Sequence, residues 1–566
     1  MSKRIKLSNS SNSSKFWENF IKINPNFYNK RLNKSNANKF NNGERIKPFI
    51  KLEQTIESKN LNVDDVINDK SHEFIIHWFR QDLRIHDNIA LINSINLAKK
   101  FDKKLLTIYI FNEIELKAHF DSSIKLDFIK KSLNKLRKDL NELNIPLKII
   151  TLTKLGNFLT FNDWLIELVQ SKLNSSLISI NLQYEYDELN RDIKLIESLN
   201  ILSFHEQCII KPFQLQTGKG SQYSKFTPWF KNWSKTVLNI YKSEGIQILE
   251  TPSIGLKDWD YGNYNNDEGQ LSIEFQLDSL KKDYYKGIIT DDDLSQLQIR
   301  YEAGEEASLK TFNKFLKDGI FKYIDDKDSP LIQGSSHLSH HLTQGTISIR
   351  FIVLKLIELN KGKIIGGGNA NIENFIKEIA WREFFRHFVC NWPYTMMYIP
   401  AKLSSLDLKT ENNLINFQKW CLGETGFPII DASMKELLKT GYMNNRCRMI
   451  SSSFLSKDLN IDYRIGELWF HYHLIDGDFI SNNQGWQWSS STGLDSQPWF
   501  RIFNVYLQSE KFDKDCKYIW KWLPELKQYT PKQIHYADGL KQYYKPCINR
   551  DEVREETLER YREAFA

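Results

Sequence analysis

Residues 73–88 read EFIIHWFRQDLRIHDN. The run opens with apolar, mostly β-branched and aromatic residues, too few for a helix of ordinary length, and then turns abruptly polar. Four further runs repeat the pattern: LLTIYIFN at 105–112, LKIITLT at 147–153, LISINLQY at 177–184 and ILSFHEQCII at 201–210, with amphipathic stretches of helical length between them. Such alternation predicts a parallel sheet wrapped by helices, a Rossmann-like α/β domain over 71–210. Ligands of these folds sit beyond the carboxyl ends of the strands.

Outward from this domain the composition changes on both sides. Residues 1–70 are rich in Asn, Ser and Lys, with only Glu18 and Glu44 acidic before position 50. They are predicted to be a disordered basic tail. Its SKRIK start fits a nuclear signal, and its basic, Ser-rich character with an apolar patch at 16–23 fits a mitochondrial presequence, while a merely solvated arm has the same composition. Nucleus, with mitochondrion as a second destination, is the expected location. Residues 211–300 are of mixed polarity and are read as an interdomain connector crossing the surface. TGKGSQ at 217–222 lacks the spacing of a phosphate-binding loop and is read as a plain loop. From 301 to 566 helical periodicity dominates: Leu309, Phe312, Phe315 and Leu316 form one apolar stripe, and Ile372, Phe375, Ile376 and Ile379 another.

At 566 residues the chain can build two or three domains. Its six cysteines lie far apart without CxxC spacing, which argues for reduced thiols in an intracellular protein and against a disulfide frame or a metal site. No run of about 18 apolar residues is present, so no membrane span is expected. The net charge of +7 suits a polyanionic partner. Nothing in the sequence calls for an obligate second subunit, and a monomer is expected.

The stretch 431–504 places tryptophans, carboxylates, asparagines and arginines where a soluble core would use aliphatics, as expected for the lining of a cavity that takes a large, flat, charged ligand. Glu378, Trp381, Arg382 and Phe385 share one helix face at i, i+3, i+4 and i+7. Asn445, Arg448, Met449 and Ser452 repeat that spacing, so two such faces can wall one pocket. GSSHLS at 334–339 precedes a helical stretch, where hydroxyls and backbone N–H groups meet the positive end of a helix dipole. Asp476 with Arg448 is the expected ion pair; Asp478, beside Gly477, has helix capping as its simpler role.

GYMNNRCRM, LIDGD, NNQGWQWSSSTG and FRIFN, in that order, resemble the flavin domain of the DNA photolyase and cryptochrome family, and FRQDLRIHDN at 79–88 resembles the opening of its antenna domain. YIDDKDSP with GSSHLS is similar to the family segment that holds the phosphates and ribose of FAD. The resemblance, over 74–545, is closest to the class I, folate-type cyclobutane pyrimidine dimer photolyases of yeasts. It implies an antenna domain joined by a linker to an all-helical FAD-binding domain, and light-driven repair of cyclobutane dimers in DNA by electron transfer from reduced FAD. It further implies FAD contacts at Tyr323, Ser335, Ser336, Leu338, Ser339, Arg448, Asp476, Asp478 and Asn482. Glu378, Trp381, Asn445, Met449 and Trp488 are expected to line the cavity for a flipped dimer, with Lys327, Arg446 and Arg501 on the DNA strand. Glu378 in an apolar setting would be a protonated donor to a thymine carbonyl. Asn445 and Met449, where enzymes for (6-4) photoproducts carry histidines, favour the cyclobutane substrate, and Asn482 sets the chain apart from cryptochromes; a signalling photoreceptor without repair activity is the alternative. His119, Asp187 and Glu188 match the positions of a methenyltetrahydrofolate antenna, with Met396 and Met397 as departures in the same pocket. The family's three-tryptophan route to the flavin reads Trp486, Tyr463 and Thr410 here, which predicts slow photoreduction or rerouting through Trp420 or Trp469.

Overall fold

A computed structural model of the chain describes residues 33–69, 71–250, 255–257, 259, 289–332 and 334–565. Five strands, β1 (Phe74–Phe79), β2 (Lys104–Asn112), β3 (Leu147–Leu152), β4 (Ser175–Asn181) and β5 (Ile201–Phe204), form one sheet in the order β3-β2-β1-β4-β5. Every pairing is parallel, with Ile76 beside Leu106 on one side and Ile178 on the other. β1 and β4 are buried along their whole length because helices cover both faces, which is why β1 reads as a mostly apolar run; the buried polar exceptions pair, as His77 Nδ1 does with Ser179 Oγ at 3.1 Å. The chain winds outward from β1 to β3 and then returns to the other side for β4 and β5. That reversal opens a crevice at the carboxyl ends of β1 and β4.

The polar half of the opening sequence ties this domain to the helical part. Within the α/β domain Arg80 donates to both Asp192 oxygens at 2.9 and 2.8 Å, and the residues after it reach the helical part. Arg84 Nη1 donates to the Gly345 carbonyl at 2.9 Å, and Arg350 Nε to Asp87 at 3.1 Å. Gly345 has φ +65°, and a Cβ there would lie 2.0 Å from the Gln81 carbonyl oxygen, so only glycine permits the two backbones to approach this closely. Glu305 receives the Ile85 amide at 2.9 Å and His86 Nδ1 at 2.9 Å.

Two expectations are corrected. The basic tail is folded from residue 34: helices Lys34–Asn41, Pro48–Lys59 and Val63–Asn68 precede the sheet. Phe49 and Leu52 are buried against Tyr184, His205 and Phe213, and Phe40 against Tyr394 and Ile399. A few apolar residues among lysines and asparagines suffice because they fill holes in a surface built by other segments. Residues 1–32, where the targeting signals are expected, lie outside the described residues. The connector is no surface strap throughout: Phe226–Ser243 is an amphipathic helix whose Trp229, Trp233 and Val237 are buried in the helical core with Phe384 and Phe388. Most of the Asp/Asn/Gly/Tyr-rich segment at 257–268 lies outside the described residues.

Candidate functional site

Three helices of the C-terminal half are buried except along one face each. In Phe479–Ser489, Asn483, Gln484, Trp486 and Gln487 are buried, whereas Asn482, Gly485 and Trp488, one above the other at helical spacing, are not. A Cβ on Gly485 would meet nothing within 4 Å, so open space lies over this face. Asn445–Ser453 likewise exposes Asn445 and half-exposes Arg448 and Met449, with Asn445 Nδ2 3.7 Å from Met449 Sδ. Ala370–Asn391 half-exposes Glu378, Trp381, Arg382 and Phe385. The first helix packs on both of the others, so the helices that carry Asn482 and Trp488, Met449, and Glu378 and Trp381 adjoin.

Arg448 forms a forked pair with Asp476, Nη2 lying 3.0 and 2.8 Å from the two oxygens, while its Nε donates to the Met443 carbonyl at 2.8 Å. Burial works against the Arg448 charge, but Asp476 outweighs it and holds the guanidinium protonated more firmly than usual. Asp478 caps the Asn482 helix through the Ser481 amide at 2.7 Å and also accepts from Arg386 Nη2 at 2.6 Å. Burial alone would raise its pKa; the charges of Arg386 and Arg382 and the Ser481 amide reverse this and hold it well below the carboxylate range. Asn482 Nδ2 donates to the Glu467 carbonyl at 2.9 Å, and its side-chain oxygen has no donor among the described residues. Beneath it Glu467, buried, accepts from Asn483 at 3.0 Å, and burial pushes its carboxyl up to about 8. Arg386 and Glu467 carried no signal in the sequence beyond being charges on apolar helices.

On the other side of the region Tyr323, buried against Phe315 and Phe375, opens the short helix that leads to Lys327. Ser335 Oγ lies 3.3 Å from Tyr442 Oη, Leu338 is fully buried, and Ser339 starts the helix Ser339–Gln344. The hydroxyls of Ser335 and Ser336 are half-buried, so they reach both protein and solvent. The open face at Asn482 and Gly485, its unpaired amide oxygen and the forked Arg448–Asp476 pair fit a flat, hydrogen-bonding ring, and the serine segment fits a polar tail; FAD has both parts.

The apolar setting expected for Glu378 is overturned. Lys327 Nζ lies 2.7 Å from Glu378 Oε1 and 2.8 Å from Asn374 Oδ1, so the carboxylate sits in an ion pair with a half-buried lysine. Trp381, half-exposed, stacks on Phe226, centroids 3.6 Å apart and planes 9° off parallel, with Phe385 tilted beside it at 5.4 Å. Trp488, half-buried, has no aromatic partner among the described residues. Arg446 is engaged by Asp328 at 2.9 Å and lies 4.4 Å over Phe512. Arg501 is exposed, and Lys457 fixes its loop by donating to the Arg501 carbonyl at 3.0 Å and Ser491 Oγ at 2.8 Å.

Trp486 is buried against Phe470 (4.9 Å between centroids) and Trp420 (6.1 Å, nearly edge-on). Gly466 lets the indole lie against the neighbouring helix backbone, since a Cβ there would be 2.3 Å from Trp486 Cη2. Tyr463 is 6% exposed, and Trp420 and Trp469 are fully buried. Among these rings none is exposed at the surface.

The crevice at the sheet's carboxyl edge deepens into a cavity of ≈ 710 Å³ between the domains. His119, Asp187, Glu188, Met396 and Met397 line it, with Trp78, Tyr109, Phe161 and Phe479 as apolar wall. His119 Nε2 is 4.0 Å from Asp187, which is largely exposed. Burial, then the nearby Glu185 and Glu115, push the Glu188 carboxyl well up. Such a mixed cavity suits an amphipathic ring system.

Known proteins resemble this chain across both domains. The model described as "FAD binding domain of DNA photolyase" matches residues 375–563, and that described as "DNA photolyase" matches 75–252. The mitochondrial deoxyribodipyrimidine photo-lyase of Saccharomyces cerevisiae is 38% identical over 97% of this chain and 96% of its own. Among solved structures, a class III photolyase from Agrobacterium tumefaciens superposes with a TM-score of 0.72 at 27% identity, covering 87% of this chain and 98% of its own. An archaeal photolyase from Sulfolobus tokodaii, described with two FAD molecules, gives a TM-score of 0.67 at 25% identity, with 87% and 100% covered.

Proposed function

The chain belongs to the DNA photolyase family, and from that premise we propose that it repairs cyclobutane pyrimidine dimers in DNA by light, with FAD in the helical domain and a second, antenna chromophore in the interdomain cavity. The observation that carries this reading is the open face Asn482–Gly485–Trp488 on a helix packed between those that bear Met449 and Trp381, in an otherwise buried helical domain. Reduced FAD supplies, when bound, the photoexcited electron that enters the dimer and returns after the cyclobutane bonds have broken. Arg448, held by Asp476, and the free amide oxygen of Asn482 orient the ring, while Ser335, Ser336 and Ser339 hold the polar tail beside Tyr323 and Leu338. Asp478 positions Asn482 by capping its helix and is itself neutralised by Arg386.

A dimer must leave the duplex to reach this region, at about a few kcal/mol that the damage itself reduces. Trp488 and the half-exposed Trp381 replace the lost stacking. Asn445 and Met449 form the opposite wall. Lys327 uses two of its three N–H donors on Glu378 and Asn374 and keeps one for a lesion carbonyl or phosphate. Arg501, exposed, meets the strand directly, whereas Arg446 must exchange Asp328 for a phosphate, so affinity depends steeply on salt. His119, Asp187 and Glu188 are the contacts of the antenna, which we take to be methenyltetrahydrofolate. Nuclear and mitochondrial destinations both remain part of the reading, as does a monomeric state.

The test is direct: the purified, reduced protein is irradiated with DNA carrying cyclobutane dimers, and dimer loss is compared with a dark control. Light-dependent loss is expected; equal loss in light and dark refutes the repair reading in favour of signalling. Fusion of residues 1–70 to a fluorescent reporter checks the destination.

A further inference from the structure

The interdomain cavity has a wall that its sheet does not supply. Arg45, in the turn after the helix Lys34–Asn41, lines it beside Tyr186, His119 and Asp187. The segment carrying Arg45 is anchored on the helical domain. Phe40 is buried with Tyr394 and Ile399, Asn41 Nδ2 lies 3.3 Å from Tyr394 Oη, and Lys47 Nζ lies 2.5 Å from Asn391 Oδ1. On the α/β side Arg45 Nη2 donates to Tyr186 Oη at 3.0 Å, and its guanidinium carbon lies 4.6 Å over the Phe40 ring. Residues 33–47 thus bridge the two domains across the cavity mouth.

The charges single out Arg45. Four Lys or Arg side chains line the cavity, and Arg80, Lys125 and Arg191 are each paired with a carboxylate. Arg45 has none among the described residues, and only one of its five N–H donors is used. Stacked on Phe40 and steered by Tyr186, it is a preorganised fork of the kind that binds carboxylate or phosphate two-pronged.

We propose that residues 33–47 form part of the antenna site and that Arg45 binds the anionic tail of the chromophore. The ring system occupies the cavity and its carboxylates or phosphates emerge at the mouth. The inference rests on the antenna reading of this cavity. A folate carries the tail as glutamate carboxylates, a second FAD as a diphosphate.

The experiment strips the second chromophore from the FAD-loaded protein. It then titrates methenyltetrahydrofolate with one glutamate, the same folate with three, and FAD into wild type, Arg45→Ala and Arg45→Lys, with flavin content and melting midpoint as folding controls. For a folate antenna, wild type prefers three glutamates to one, and Arg45→Ala binds the longer tail about tenfold more weakly and loses that preference. For a second FAD, the same loss appears in the FAD arm alone. Arg45→Lys recovers part of the affinity in either case. Affinities in Arg45→Ala equal to wild type in every arm overturn the proposal alone. Failure of wild type to take up any of the three overturns the antenna reading and this proposal with it.

Discussion

Replacing Glu467 by glutamine tests how the buried layer beneath Asn482 is held. Glu467 is 1% exposed, its carboxyl accepts from Asn483, and its backbone carbonyl receives Asn482 Nδ2. Burial raises its pKa from 4.5 to about 8, partly offset by the Asn483 hydrogen bond and the Arg464 charge. The unfolded chain therefore releases this proton near pH 4.5 while the folded chain keeps it to about pH 8. The folded state binds the extra proton throughout that window, so stability falls as pH rises through it and levels off above. At 1.36 kcal/mol per pKa unit the full effect is about 5 kcal/mol, an upper figure for one group. Glu467→Gln keeps the shape and an acceptor for Asn483 but cannot ionise. Its melting midpoint relative to wild type should be nearly unchanged at pH 5, climb steadily to pH 8 and stay flat to pH 9, with flavin retained to higher pH. Subtracting wild type from variant at each pH removes the other buried acids, which titrate in both. A difference that is the same at pH 5 and pH 8.5 would show that Glu467 is already ionised in the fold.

Truncating Arg448 to alanine leaves Asp476 buried without its partner, an imbalance worth about 3–5 kcal/mol. Flavin content after gel filtration should fall sharply, Arg448→Lys should lie between, and Arg448→Ala/Asp476→Asn should recover part of the melting loss. Glu378→Gln removes a half-exposed ion pair with Lys327 worth at most about 1 kcal/mol and retains a donor, so folding and most light-dependent repair persist; near-total loss of repair would contradict this. Flavin photoreduction in an external thiol should be slow in wild type, slower in Trp486→Phe and Trp420→Phe, and faster in Tyr463→Trp/Thr410→Trp, with repair by chemically reduced protein unchanged in all three. Asp328→Asn frees Arg446 and should tighten binding to damaged DNA at low salt, an effect that fades as salt rises, as read from filter-binding isotherms at two ionic strengths.

The doubly covered sheet was legible because period and length are local: a strand buried on both faces is mostly apolar on both, and EFIIHWFR and LISINLQY are, their inward polar exceptions His77 and Ser179 bonding each other. The Arg448–Asp476 pair was legible because a carboxylate and a guanidinium on apolar elements must find each other or stay in water. Motif resemblance, not periodicity, supplied the flavin and the lesion. What the sequence could not reveal were partnerships between segments far apart in the chain. FRQDLRIHDN reads as a polar loop but becomes a latch, since Arg84 and Asp87 find their acceptor and donor more than 260 residues away at Gly345 and Arg350. Glu378 reads as a buried acid on an apolar helix and becomes an ion pair because the fold delivers Lys327 to it. Residues 34–68 read as a tail because their few apolar side chains are too sparse to make a core of their own; they fold because Phe40, Phe49 and Leu52 fill recesses that exist only once both domains are assembled. Local pattern fixes what a segment can form, whereas burial, charge pairing and the filling of another segment's cavity are properties of the assembled surface, and those decided the latch, the Lys327 pair and the place of Arg45.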